Sequence, residues 1–128
     1  MRQSILFACL VVISLSVAAN EGEKAEGPQY IPIGPKLIVN LLNPKQLMQI
    51  NPQVMAEGEA VEEIKKNMPA LKNALIMLLS GRDAQELTTS QQREALRKET
   101  AEVILKTLEK YGSSEGVKEV LFTDFRVN

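Results

Sequence analysis

Apolar side chains at Val61, Ile64, Met68, Leu71, Leu75, Leu78 and Leu79 recur at steps of three and four, the spacing that places them on one stripe of a helix. The pattern predicts a helix from Glu59 to Leu79, with Glu59, Glu62 and Glu63 near its positive end, where acidic side chains are favoured. Pro69 lies inside that span. It removes the backbone bond to Lys65 and crowds that carbonyl, so the helix has to kink or divide into two pieces near Met68. Ser80-Gly81 then stops it, Gly81 being free to take the left-handed conformation that closes a helix. Asp83 is placed to cap a short following turn, with Glu86 at the capping-box spacing.

A second helix starts more sharply. Thr89 as N-cap and Gln92 three residues later satisfy two otherwise unpaired donors, and the helix runs to about Tyr111 before Gly112 and Ser113. Leu96, Thr100, Ala101, Ile104, Leu105, Leu108 and Tyr111 cover about half of its circumference. That arc is either buried between a sheet and the first helix, or its edge near Leu105 meets another protein. Arg97, beside the arc, either lays its stem along the core edge or pairs with a partner's carboxylate. Ile76 and Met77 point away from the first helix's main stripe. They either pack under the Gly81 to Leu87 turn, the commoner arrangement, or dock a neighbouring subunit. The candidate contact residues are therefore Ile76, Met77, Arg97 and Leu105.

The remaining apolar runs read as strands. Tyr30 to Leu42 is rich in Ile, Leu and Val, but Pro32, Gly34 and Pro35 break its first half, so a regular strand is expected from near Lys36. Asn43-Pro44 supplies a turn. From Gln46 to Met55 the apolar positions are Met48, Ile50, Val54 and Met55, and Pro52, lacking a ladder donor, restricts this strand to an edge or a bulge. Val117 to Val127 suits a final strand. Its alternation shifts phase near Thr123-Asp124, where one extra residue would turn both Phe122 and Phe125 inward. The fold class this predicts is α+β: a small sheet of about three strands packed by two amphipathic helices.

With 128 residues, the chain holds one domain. A net charge of -1 gives no electrostatic footprint for nucleic acid. Histidine is absent and the single cysteine, Cys9, sits in the N-terminal apolar run. The folded part therefore offers neither an ordinary zinc site nor a Ser-His-Asp or Cys-His arrangement. Asp occurs only at Asp83 and Asp124, and the Glu residues fall at helical surface spacings. No catalytic residue, metal or cofactor is expected, and an enzyme is not.

Residues 1–19 read as a secretory signal: Met1-Arg2-Gln3 carries a positive charge, Ser4 to Ala19 is mostly apolar, and Val17-Ala18-Ala19 suits cleavage between Ala19 and Asn20. The run falls short of the roughly 20 residues that span a bilayer core. A short signal anchor is the alternative. Residues 20–29 have the composition of a flexible tether, leaving 30–128 as the exported domain, which avoids thiols instead of pairing them.

In this order and spacing, three segments resemble the flagellar basal-body-associated FliL family. Met68 to Leu87, Met-Pro-Ala-Leu-Lys-Asn-Ala-Leu-Ile-Met-Leu-Leu-Ser-Gly-Arg-Asp-Ala-Gln-Glu-Leu, follows a family segment in which Arg-Asp is usual where Lys72-Asn73 stands and Lys-Thr where Arg82-Asp83 stands. Glu94-Ala95-Leu96-Arg97-Lys98-Glu99 is similar to the family's Glu-x-Leu-Arg-x-Glu. Val117 through Asn128 is similar to its ending, with Asn128 where Gln is usual. The family commonly carries a basic cytoplasmic tail and a full membrane helix, which the leader-like segment here replaces, as in a soluble periplasmic paralogue. The resemblance implies a stomatin-like SPFH domain without a catalytic site, located in the periplasm beside the inner membrane and the flagellar basal body. It further implies association with stator units, a homo-oligomeric ring, and support of motor function, swarming and rotational control in chemotaxis. Proximity to the membrane would come through partners or an uncleaved N-terminal segment. A general periplasmic scaffold or adaptor that reuses the fold without a motor role is the alternative.

Overall fold

The computed structural model describes residues 27–128; the leader, the signal cleavage position at Ala19 and Asn20, and most of the tether lie outside them. Four strands, β1 (Gln29–Pro32), β2 (Leu37–Asn40), β3 (Leu47–Ala56) and β4 (Val117–Val127), form one antiparallel sheet. Three helices, α1 (Glu59–Lys66), α2 (Met68–Leu79) and α3 (Ser90–Tyr111), with a 3-10 turn at Ala84–Leu87, complete an α+β arrangement.

β3 is the axis of the sheet. On one side it pairs with β2 through Met48↔Val39 and Ile50↔Leu37, and further along with β1 through Val54↔Ile31. β1 and β2 thus lie end to end along the same edge, and the sheet is three strands wide although it contains four. The break the prolines and Gly34 predict is real, but it falls at residues 33–36, after a first strand that the sequence reading leaves out. Pro32 is tolerated there because β1 is an edge strand and needs no N–H on its outer side. Pairing even continues through the break, with Ile33 N–H donating to the Pro52 carbonyl at 2.9 Å.

β3 is not confined to an edge, because β4 covers its other side. The alternative expectation for Pro52, a bulge, is what occurs. Ile50 faces Phe125 and Pro52 faces Phe122, so β4 carries one residue more than β3 across this interval, while the Pro52 carbonyl, and with it the nitrogen that lacks a hydrogen, faces Ile33 at the break between β1 and β2. The bulge returns both phenylalanines to one face, with ring centroids 5.9 Å apart and planes tilted by 47°. Both are partly buried against the core and not fully inside it.

The inward face of β3, from Met48 through Ile50, Pro52 and Val54 to Ala56, is buried. Against it pack Val61 and Ile64 of α1, Leu71, Leu75 and Leu79 of α2, and Leu96, Thr100, Ile104 and Leu108 of α3. The only polar member, Thr100, is satisfied by donating its hydroxyl to the Leu96 carbonyl at 2.8 Å. A fully buried leucine of this kind contributes about 1.5–3 kcal/mol by leaving water, so α2 is held chiefly by one stripe.

The predicted first helix divides at Asn67, as Pro69 requires. Asn67 (φ -103°, ψ 19°) ends α1 and begins α2, while its amide nitrogen donates to the Glu63 carbonyl at 2.9 Å. Pro69 then occupies the first turn of α2, where its missing N–H costs nothing. α2 closes at Ser80 and Gly81, whose φ is 77°. The stop has a second use: Gly81 N–H donates to the Asn40 carbonyl at 2.8 Å and Leu42 N–H to the Arg82 carbonyl at 2.9 Å. The loop after α2 is thereby fastened along the outer edge of β2. Asp83 accepts from Gln85 N–H at 3.0 Å, but the Glu86 carboxylate does not accept the reciprocal bond from Asp83 N–H in this tight turn. The capping box of α3 is complete, with Thr89 and Gln92 exchanging side-chain to backbone bonds at 3.1 Å.

Candidate functional site

With the helices of the described residues on one face of the sheet, the surface these residues offer for function lies on the outward sides of those helices, on the opposite sheet face, or at the strand edges. α2 directs Leu71, Leu75 and Leu79 inward, and the same 3.6-residue period turns Met77 and Ile76 out, at 73% and 40% exposure. Packing beneath the following turn does not occur. Leu87 of that turn is instead buried in the core and Ala84 packs against it, so the turn does not cover Met77. This pair is the accessible apolar part of the predicted contact set.

Arg97 and Leu105 are placed differently. Leu105 is half-buried on α3. The α3 arc is narrower than its composition suggests, since Tyr111 at its end is 51% exposed. The Arg97 guanidinium is already engaged: Nε donates to Glu94 Oε2 at 2.8 Å, Nη2 donates to Glu94 Oε1, and Nη1 donates to the Val120 carbonyl of β4 at 3.1 Å. The bonds between the two side chains hold the Glu94 carboxyl below the usual carboxylate range and raise the Arg97 guanidinium above its ordinary value. One turn earlier Arg93 donates to the Leu87 carbonyl at 2.9 Å and lies 4.3 Å from the centre of the Phe125 ring. Thus α2 presents Ile76 and Met77 to solvent, whereas α3 spends its arginines on β4.

Sequence reasoning missed the outer sheet face. Alternation puts Tyr30, Ile38 and Leu47 there, at 57%, 57% and 41% exposure, around a centre of Gln49, Asn51 and Gln53. Gln49 donates to Asp124 at 3.1 Å and, ahead of the nearby Arg126 charge, lowers that carboxyl below its ordinary value. Asn51 Oδ1 is buried without a hydrogen-bond partner. The signal that would have identified this face was the period-2 alternation itself, hidden because the prolines interrupt it. At the end of the sheet, Glu57, Gly58, Glu59, Glu115, Gly116 and Lys118 line a cleft of about 400 Å³. Lys118 donates to Glu57 at 2.8 Å, which raises the lysine above its ordinary value and keeps it protonated. A lysine so held is no general base. Among the described residues no three carboxylate, histidine or cysteine side chains are grouped to hold a metal ion, and no helix is long and apolar enough to cross a membrane.

The arrangement is suited to contact, and comparison with known proteins gives that surface a setting. The family described as "Flagellar basal body-associated protein FliL" matches residues 30–127, from within β1 to the last residue of β4. A flagellar protein FliL from Aquifex aeolicus (strain VF5) is 29% identical over 96 residues, covering 73% of this chain and 57% of the relative. The chain therefore spans just over half the length of that relative. Since the family match takes in all but the first residue of the sheet and all three described helices, this chain belongs to the FliL family of flagellar basal body-associated proteins.

Proposed function

We propose that this protein acts by contact as a periplasmic component beside the flagellar motor, associating with stator units and the basal body and supporting torque, swarming and rotational control in chemotaxis. The observation that carries the proposal is the family match across residues 30–127, together with a relative named as a flagellar protein. In this reading residues 1–19 direct export as a cleaved leader or stay uncleaved as a short signal anchor at the inner membrane, 20–29 tether the domain, and copies of the domain assemble as a ring. No step requires bond making or breaking, so no catalytic group or cofactor is invoked.

Ile76 and Met77 are proposed as contact residues, on the strength of their exposure beside a well-buried stripe. Leu105 and Arg97 are weaker positions, the first for its half-burial and the second for its internal bonds. Deleting the gene should reduce swimming or swarming; unchanged motility in every medium would remove the motor role. Loss of assembly in a folded Met77→Glu variant, with Leu105→Glu behaving as wild type, is the pattern expected of an α2 surface. Normal assembly in both would eliminate these surfaces. Co-purification with non-flagellar envelope proteins in a host that does not swim would favour the general scaffold instead. Sequencing the N-terminus of exported protein tests the leader, since cleavage leaves Asn20 first and an anchor leaves Met1 or Arg2.

A further inference from the structure

β4 is an 11-residue strand that pairs with β3 and with no other strand of the described sheet. Its far side is therefore an edge, along which alternate residues turn an N–H and a carbonyl away from the sheet and offer them to any extended chain. The two edges are treated differently. On the opposite side of the sheet, the loop after α2 pairs with the end of β2, Gly81 N–H donating to the Asn40 carbonyl and Leu42 N–H, just past the strand, to the Arg82 carbonyl. Among the described residues β4 receives no such backbone cover, and what reaches it instead is Arg97, whose Nη1 donates to the Val120 carbonyl at 3.1 Å.

We infer that Arg97 guards the β4 edge, holding the Val120 carbonyl so that a second copy of this chain does not add to the sheet as a further strand. Three features support this. The arginine cannot easily swing aside, because Glu94 grips the other side of the same guanidinium through two bonds and Glu119 lies 3.9 Å from it. Arg93, one helical turn away, lies over Phe125 further along the same strand, so two side chains of α3 overhang the strand. Between them β4 carries irregular pairing at Thr123-Asp124, and beyond Val120 it is irregular again at Lys118, where Met55 faces Glu119 and Ala56 faces Val117. Bulges and charged side chains are the devices that keep an exposed strand from templating another. At Val120, where the strand between those bulges is regular and apolar, the protection is a single side chain.

The test compares the full chain with Arg97→Met, which keeps the stem and removes the guanidinium, and with Glu94→Gln, which keeps the arginine and loosens its grip. The Arg97→Met protein is expected to keep the wild-type far-ultraviolet circular dichroism of its dilute form. As concentration rises it should lose soluble protein to thioflavin T-binding species larger than any wild-type assembly, with added amide protection confined to residues 117–127. Glu94→Gln should move in the same direction to a smaller extent. A size distribution identical to wild type across the concentration series, or added protection anywhere other than β4, would overturn the inference. Should Arg97→Met fail to fold, Glu94→Gln decides alone: a wild-type size distribution in that variant also overturns it.

Discussion

Leu75 and Thr89 show the two ways a single residue holds this protein. Leu75 sits midway along the α2 stripe with no exposed surface, between Leu71 and Leu79, so truncation leaves a cavity that rigid neighbours on both sides cannot fill. Leu75→Ala should cost about 2–5 kcal/mol, read as a lower urea midpoint with unchanged slope; a loss well below that range would mean that α2 settles onto the sheet. Thr89 touches little, yet its hydroxyl accepts from Gln92 N–H at 3.1 Å at the start of a 22-residue helix. Thr89→Ala is expected to cost about 1 kcal/mol, measurable in the same titration, and Thr89→Ser to cost much less because the acceptor survives. A Thr89→Ala protein as stable as wild type would show that Gln92 alone holds the start of α3.

At the scale of the element, the devices that punctuate the chain also join its parts. Gly81 ends α2 and delivers its N–H to β2, so one residue serves both the helix and the sheet edge. Gly116 joins the loop before β4 to the residue that follows β3. Its φ is 100°, its carbonyl accepts from Glu57 N–H at 2.9 Å, and a Cβ built there would lie 2.3 Å from the Glu57 carbonyl oxygen. Gly116→Ala must therefore push β3 and β4 apart at this end, beyond the roughly 1–2 kcal/mol that a left-handed backbone costs an ordinary L-residue. Amide exchange should show the expected loss: faster exchange at Glu57 and at the start of β4, with the Met48 to Ile50 end protected as before. Unchanged protection at Glu57 would mean that the loop absorbs the strain. Element boundaries of this kind were largely legible, because a cap, a glycine or a proline acts within a few residues of itself. Thr89, Gly81, Pro69 and the phase shift at Thr123-Asp124 each predicted the local event that the fold contains. A proline's effect on a strand, by contrast, depends on which neighbour lies beside it: β1 escapes the sequence pattern because of Pro32, and Pro52 is compatible with an edge that β4 in fact covers.

For the whole molecule, charge is dispersed and the titration behaviour follows from that. Glu94 and Asp124 have lowered pKa values, the first mainly through Arg97 and the second mainly through Gln49. A carboxyl with a lower pKa folded than unfolded stabilises the native state above the unfolded value, and loses that contribution as pH falls through the folded one. Lys118, raised mainly by its bond to Glu57, works in the opposite sense: its contribution is present below the ordinary lysine value and lost as pH rises through the raised one. With no histidine in the chain, no side chain of ordinary pKa titrates between about pH 5 and 8. Urea midpoints should accordingly form a plateau across neutrality, decline in acid as the two carboxyls protonate, and decline again in strong alkali. Both shoulders should be shallow and weaker in high salt, since these groups face water. A steep change near neutrality would contradict this assignment.

By itself the sequence determined the helices, their caps and interruption, the final bulged strand, the α+β class, and the motif order behind the FliL resemblance. All of these depend on spacing along the chain. Only the tertiary structure decided that β1 and β2 share one edge of β3, that Met77 is left uncovered while Arg97 is drawn onto Val120, and that one sheet face is open. Those outcomes depend on which distant segments become neighbours, as when Val120 comes to lie beside Arg97 from 23 residues away. A residue's own side of a helix or strand follows from its period, but whether that side is covered depends on the rest of the fold.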